Sequence, residues 1–272
     1  MEFIQTVLDY QFLQFAILAG TLASLACGIT GTFVVKKKIT FVSGGIAHGV
    51  LGGVGLFYFL GLNTSVGALV ASLFFSILLT FSKFKFKGNE DTLVGAIWSA
   101  GMSLGIIFMF LTPGYNVDIM SFIFGNILMV DSDSLILLAT YDIAIVLTVF
   151  ILYRHLKYIS WDEEYLQIRG FNVPLIYFIL LVLVSFTVVI LLKIVGLILI
   201  IALLTIPASA ASLFSSRFSR IMIISFILGL FFSLSGIFLS YQYDLPSGAT
   251  IVLISATVYL ILSIISKIVS KT

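Results

Sequence analysis

VPLIYFILLVLVSFTVVILL occupies residues 173–192 and holds no charged side chain. Roughly 20 apolar residues are the length of a helix that crosses a bilayer. Lys193 follows, and a second apolar stretch, residues 194–214, begins at once, so a very tight turn is expected there. Working outward, charges and turn residues cut the rest of the chain into spans near 10–35, 41–61, 64–82, 91–112, 134–153, 219–241 and 247–268. Nine spans result. Between the fourth and fifth lies IMSFIFGNILMV (residues 119–130), which is too short to cross; its Gly125-Asn126 break marks a re-entrant or interfacial element.

Composition supports the same reading. Of 272 residues, 61% are hydrophobic and 10% charged, against about 25% charged in ordinary soluble domains. A soluble core of this size could not hide so much apolar surface, whereas a bilayer can. The longest polar stretch, residues 153–172, is a loop, so residues 1–272 are expected to form one all-α, polytopic transmembrane domain. The single cysteine, Cys27, excludes an intrachain disulfide and a four-cysteine zinc site. Glu2 and Asp9 stand where a cleavable signal would be positive, so the first apolar segment is read as a true span. The net charge of +2 is spread over loops rather than gathered on one face, and no nucleic-acid partner is expected.

Cytoplasmic loops of membrane proteins are rich in Lys and Arg. With nine spans, an outer N-terminus and a cytoplasmic C-terminus, the inner side receives Lys36, Lys37, Lys38, Lys83, Lys85, Lys87, Arg154, Lys157, Arg169, Arg217, Arg220, Lys267 and Lys271. Only Lys193 of the 14 basic residues falls outside. Gly20, Ser24 and Gly28 recur every fourth residue in the first span, as do Gly45, Gly49 and Gly53 in the second. Small residues at that spacing read as ordinary close helix packing in lipid. Pro207 removes a backbone donor from the seventh span, where Thr205 and Ser209 are near enough to help satisfy freed carbonyls.

Two ionisable side chains lie deep within the expected spans, His48 and Asp142. A charged group there costs on the order of 3 kcal/mol, which makes each a functional candidate. Gly44 and Gly52 flank His48 one turn away on either side and leave room around the imidazole. A neutral imidazole can ligate a transition metal; the alternative is a hydrogen bond to a neighbouring helix carbonyl. Asp142 can supply an oxygen ligand on a cation path, or accept hydrogen bonds from Ser, Thr or Tyr of a neighbouring helix. Cys27 is a soft potential ligand or a small packing residue. Asp118, Asp131, Asp133 and Asp244 give an acidic outer mouth that would concentrate cations. No phosphate-binding loop, nucleophilic triad, zinc-protease motif or haem motif occurs. The sequence offers a conduit without a catalytic centre. In the inner loop, SWDEEYLQIRG (residues 160–170) has acidic residues near its start and Arg169 near its end, as a short helix prefers. Such an amphipathic helix would expose Trp161, Leu166 and Ile168, to a partner or to the bilayer interface.

FVSGGIAHGVLGGVG (41–55), SFIFGNIL (121–128), SWDEEYLQIRG (160–170), VGLILIIALLTIPASAA (195–211) and SYQYDLPSGATIVL (240–253) occur in this order. With them the chain, from about residue 13 to 265, resembles the permease subunits of bacterial ABC importers for zinc, manganese and iron. The resemblance implies a homodimer in the bacterial cytoplasmic membrane, two cytoplasmic ABC ATPase subunits and an extracytoplasmic metal-binding protein. It implies that residues 161–170 form the segment docking on the ATPase, with Trp161, Asp162, Glu164, Leu166 and Gly170 carrying the coupling. Leu166 stands where relatives usually have Ala. His48 matches the family's histidine of the second span, and Gly44 replaces the acidic residue many relatives carry four positions earlier. No permanently bound cofactor is expected, only the transported divalent ion, held sparsely enough to leave by His48 and Asp142. Zinc is the first expectation because a histidine is the clearest ligand, with manganese and iron as competitors. Alternating access driven by the partner's ATP is the expected mechanism. A gradient-driven secondary transporter would show paired intramembrane carboxylates or inverted repeats, and an ABC permease for a metal chelate or vitamin would generally be longer.

Overall fold

With no water to bond it, the backbone of an apolar run in lipid must satisfy itself, and a helix does so locally. A computed structural model of the chain describes residues 2–86, 90–113 and 125–269. Helix follows helix: α1 Glu2–Asp9, α2 Gln11–Lys37, α3 Thr40–Phe59, α4 Thr64–Phe81, α5 Glu90–Leu111, α6 Ser132–Trp161, α7 Glu163–Ile168, α8 Val173–Val195, α9 Leu197–Phe214, α10 Phe218–Tyr243 and α11 Ser247–Val269. A π-helical turn, Ser82–Phe86, extends α4, and a 3-10 turn, Ile127–Met129, precedes α6. No strand occurs among the described residues. Among them, eight helices (α2–α6, α8, α10 and α11) are long and apolar enough to cross a membrane. The remaining expected span, the seventh, is α9, with the shorter apolar stretch Leu199–Phe214.

Several boundaries differ from expectation. α6 runs on to Trp161, past the expected end at 153, so the first part of the 153–172 stretch is helix rather than loop. α8 does not stop at Lys193 but runs on to Val195, and the break falls at Gly196, whose φ of +80° suits a residue without Cβ. A charge was the visible punctuation, but the backbone turns where glycine permits it. Within 119–130, residues 119–124 lie outside the described residues; from Gly125 (φ +60°) the chain enters the 3-10 turn, capped by Asn126, whose Oδ1 accepts from the Leu128 amide at 3.1 Å. The short helix α1 ahead of the first span was not anticipated.

By backbone contacts the chain divides into two units: Met1–Val35, Met120–Leu147 and Ile190–Thr272 form the first, and Lys36–Ile119 and Thr148–Val189 the second. In the first, α9, α10 and α11 pack on one another. α2 is seated by its small residues: the Ser24 and Ser233 hydroxyls lie 3.3 Å apart, and a Cβ added to Gly28 would stand 2.9 Å from the Phe226 amide. A Cβ at Gly31 would run into the Leu204 carbonyl of α9. Pro207 sits inside α9 and leaves the Leu203 carbonyl without its helical donor. Thr205 does not reach that carbonyl, because its hydroxyl donates to Ile201 at 2.7 Å.

The Gly31 contact gives a stability prediction. Gly31→Val forces a side chain against backbone that no rotamer change can move aside, and overpacking of this kind costs about 1–3 kcal/mol. The variant is expected to melt several degrees lower in detergent than wild type. Gly95→Ala, at a position with nothing within 4 Å of the added Cβ, should melt as wild type does. Equal melting temperatures for Gly31→Val and wild type would refute the contact.

In the second unit α3 packs on α5 and α4. A Cβ on Gly52 would lie 3.1 Å from the Gly101 carbonyl, and one on Gly101 would lie 2.5 Å from the Gly49 Cα. This agrees with the close-packing reading of the glycine rows. Ser76 and Ser185, 2.8 Å apart between hydroxyls, tie α4 to α8.

Candidate functional site

His48 projects from α3, and the Trp98 indole of α5 stacks on it, with ring centroids 4.0 Å apart and planes 11° from parallel. The space that the flanking glycines promised is used up by packing: Gly52 faces the Gly101 backbone, and Trp98 covers the imidazole. Nδ1 of His48 is buried without a hydrogen-bond partner, so the expected alternative, a hydrogen bond to a neighbouring helix carbonyl, is not made by that nitrogen. Stacking fixes the ring plane while leaving a nitrogen lone pair or N–H unassigned, a suitable state for a ligand that binds and releases. The apolar groove of about 530 Å³ nearby, lined by Gly52, Gly53, Phe57, Gly67, Phe75 and Gly101 among others, offers no polar lining side chain and does not include His48. It is not a metal site.

Asp142, on α6 in the first unit, is 3% exposed. Neither carboxylate oxygen has a hydrogen-bond partner, which corrects the expectation of bonds from Ser, Thr or Tyr. A buried polar group left unpaired costs on the order of several kcal/mol, and positions that retain that cost are functional candidates. Asp142 lies within electrostatic range of Cys27 in the same unit. Among the described residues no group of three or more His, Cys, Asp or Glu assembles to hold an ion. His48 and Asp142 fall in different units and are described separately.

The segment 160–170 folds as a capped helix. Asp162 Oδ1 accepts from the Tyr165 amide at 3.0 Å and starts α7, as Asp does at N-caps. At the other end Gly170 (φ +78°) donates to Gln167 at 2.9 Å and Phe171 to Leu166 at 3.1 Å, a Schellman closure. Trp161 is 64% and Ile168 85% exposed, but Leu166 is 1% exposed, which corrects the expectation that Leu166 faces outward. Glu164 and Ile168, four apart, share the outer face; Glu163 and Leu166, three apart, share the inner one.

That inner face carries a residue the sequence did not single out. Glu163 Oε1 pairs with Lys37, the last residue of α2, and accepts from Lys83 Nζ at 2.7 Å. Burial alone would raise the Glu163 carboxyl pKa, but the hydrogen bonds from Lys37 and Lys83 outweigh it and hold it below its ordinary value. The pair is therefore formed at neutral pH, and its contribution is lost only as pH falls through that lowered value. Lys83, on the π-helical turn, also stands 4.2 Å from the centre of the Tyr177 ring of α8. His155 was also passed over: its Nδ1 is buried without a partner, and its ring meets Phe171 edge-on at 4.7 Å.

These features define a polytopic helical membrane protein whose polar groups, few and costly, sit inside its spans and at one capped loop. The profile of the ABC 3 transport family matches residues 9–266. An uncharacterized membrane protein of Synechocystis sp. is 40% identical over 96% of this chain and 93% of its own. ScaB, a manganese import system permease protein of Streptococcus gordonii, is 31% identical over 96% and 93%. Among solved structures, PsaBC from Streptococcus pneumoniae in complex with Fab superposes with a TM-score of 0.86 at 31% identity, covering 96% of this chain and 94% of that one. The chain belongs to the ABC 3 transport family.

Proposed function

We propose that this chain is the permease subunit of an ATP-driven importer that moves a divalent transition-metal ion across the bacterial cytoplasmic membrane. The observation that carries this is its near full-length similarity to ScaB, a manganese import permease. The chain lacks a phosphate-binding loop, so the energy comes from a partner's ATP. The importer comprises two copies of this chain, two cytoplasmic ATPase subunits that receive α7, and an extracytoplasmic metal-binding protein. Residues 1–272 act as one permease domain with the N-terminus outside. His48 and Asp142 contribute to the path, each with ligand atoms that no protein group occupies. Alternating access follows if ATP-driven movement at α7 rearranges the spans around that path.

Manganese replaces zinc as the favoured cargo. Two relatives of this chain, the membrane protein MntC of Halalkalibacterium halodurans and ScaB, are manganese transport proteins, and the Asp142 carboxylate is a ligand type that suits Mn²⁺. The orphan Nδ1 of His48 keeps zinc as the second reading. The test is initial-rate uptake of radioactive manganese by cells carrying the importer and its ATPase, with unlabelled zinc or iron as competitors. Manganese should accumulate, with excess zinc competing because zinc binds imidazole and carboxylate ligands more tightly. Zinc accumulation without manganese would establish the second reading, and uptake persisting with a hydrolysis-dead ATPase would overturn the ATP-driven assignment.

A further inference from the structure

Glu163 opens α7 but stands apart from its outer face, which Glu164 and Ile168 occupy. Its Oε1 receives two ammonium groups from two different helix ends: Lys37 at the end of α2 and Lys83 on the turn extending α4. Cations are favoured at helix C-termini and an anion at a helix N-terminus, so each charge suits its own helix as well as its partner. Lys83 is further aligned by the rings of Tyr177 at 4.2 Å and Phe84 at 5.6 Å. Phe84 in turn packs edge-on against Tyr177, with ring centroids 5.6 Å apart. Leu166, on the same side of α7 and buried, adds an apolar foot to the ionic one. All these residues belong to the second unit. Without the Glu163 carboxylate, two mostly buried ammonium groups would be left facing each other, a like-charge contact that drives the ends of α2 and α4 apart.

We propose that Glu163 is a positioning residue, an ionic clasp through which movement of α7 is passed to the membrane-spanning helices α2 and α4. This rests on the reading that α7 docks on the ATPase. The outer face of α7 takes the push, and the clasp on the inner face delivers it to two helices at once. A purely apolar contact would let α7 slide on those helix ends. Two charge-assisted bonds to one oxygen resist that.

The experiment uses the whole importer in proteoliposomes, with metal uptake and ATP hydrolysis measured on the same preparation. Glu163→Gln is expected to lower uptake roughly tenfold, in line with the loss of a half-buried charge partner, while hydrolysis stays within about twofold. Reversing every sign, Glu163→Lys with Lys37→Glu and Lys83→Glu, keeps one charge bridging two of the opposite sign and is expected to recover at least half of the uptake. Uptake and hydrolysis falling together in Glu163→Gln, with no recovery in the exchanged variant, would mean a scaffold role and overturn the proposal. An unchanged ratio in Glu163→Gln would overturn it too. Ile168→Cys, cross-linked to the ATPase through its thiol, separates this inference from the reading beneath it. No cross-link in an otherwise native permease rejects docking through α7, whereas a cross-link together with an unchanged ratio rejects the clasp alone.

Discussion

His48→Ala should cut metal uptake by roughly 10- to 100-fold while leaving the protein folded and in the membrane. The lower bound comes from second-shell groups at metal sites, whose loss costs that much; a group that touches the ion should not cost less. The imidazole is held flat against Trp98, and Nδ1 carries no hydrogen bond. Removing the ring costs the stack on Trp98, about 0.5–1.5 kcal/mol, but no hydrogen bond made by Nδ1, so a melting temperature only a few degrees below wild type is expected alongside the lost transport. Trp98→Ala should give a smaller loss of the same kind, because the proposed ligand remains but its plane is no longer fixed. Initial uptake rates at several metal concentrations decide the matter. Wild-type uptake by His48→Ala would remove the histidine from the path.

Disrupting the junction between α6 and α7 should have an equally large effect by a different route. Trp161→Ala and Asp162→Ala are each expected to abolish uptake while membrane insertion stays intact. Trp161 presents an exposed ring beside the Lys157 ammonium, 5.9 Å from the ring centre, and aromatic anchors of this kind dominate docking surfaces. Asp162 acts differently: its side chain caps a helix of six residues. Loss of an N-cap costs about 1 kcal/mol, a large share of the stability of so short a helix. Asp162→Asn keeps a cap of nearly equal quality and should retain most uptake, which separates capping from charge. Uptake that survives Trp161→Ala at the wild-type rate would end the docking assignment. A dead Asp162→Asn would show that the charge matters.

How much of this was legible depended on the range of the interaction. The spans were readable because lipid imposes one rule on every residue of a crossing segment, and 173–192 obeys it without exception. α7 was readable because its caps are local: Asp162 and Gly170 sit within the segment they define. Which face of α7 turns inward was not readable. Six residues present Leu166 and Ile168 two positions apart, and only packing decides which is covered. Glu163 was hidden for a related reason, since its partners are 80 and 126 residues away. The same holds for the His48–Trp98 stack and for the unbonded carboxyl of Asp142. The Lys193 boundary failed because a charge and a glycine competed to mark the turn, and backbone freedom at Gly196 decided it.

The seam between α3 and α5 works as a keyed joint. Where Gly52 and Gly55 meet Gly101 and Gly105, backbone runs against backbone, while the Val94 and Ile97 side chains of α5 reach the notches at Gly45 and Gly49 of α3. Sliding one helix along the other would lift those side chains out of their notches, so the two helices are built to move as one. His48 rides on one side of the joint and Trp98 on the other. The stack therefore travels with the joint and holds the imidazole plane fixed while the two helices move together. With Trp161 kept, the part of the tryptophan fluorescence that is lost in Trp98→Phe would report whether the stack stays intact through the transport cycle.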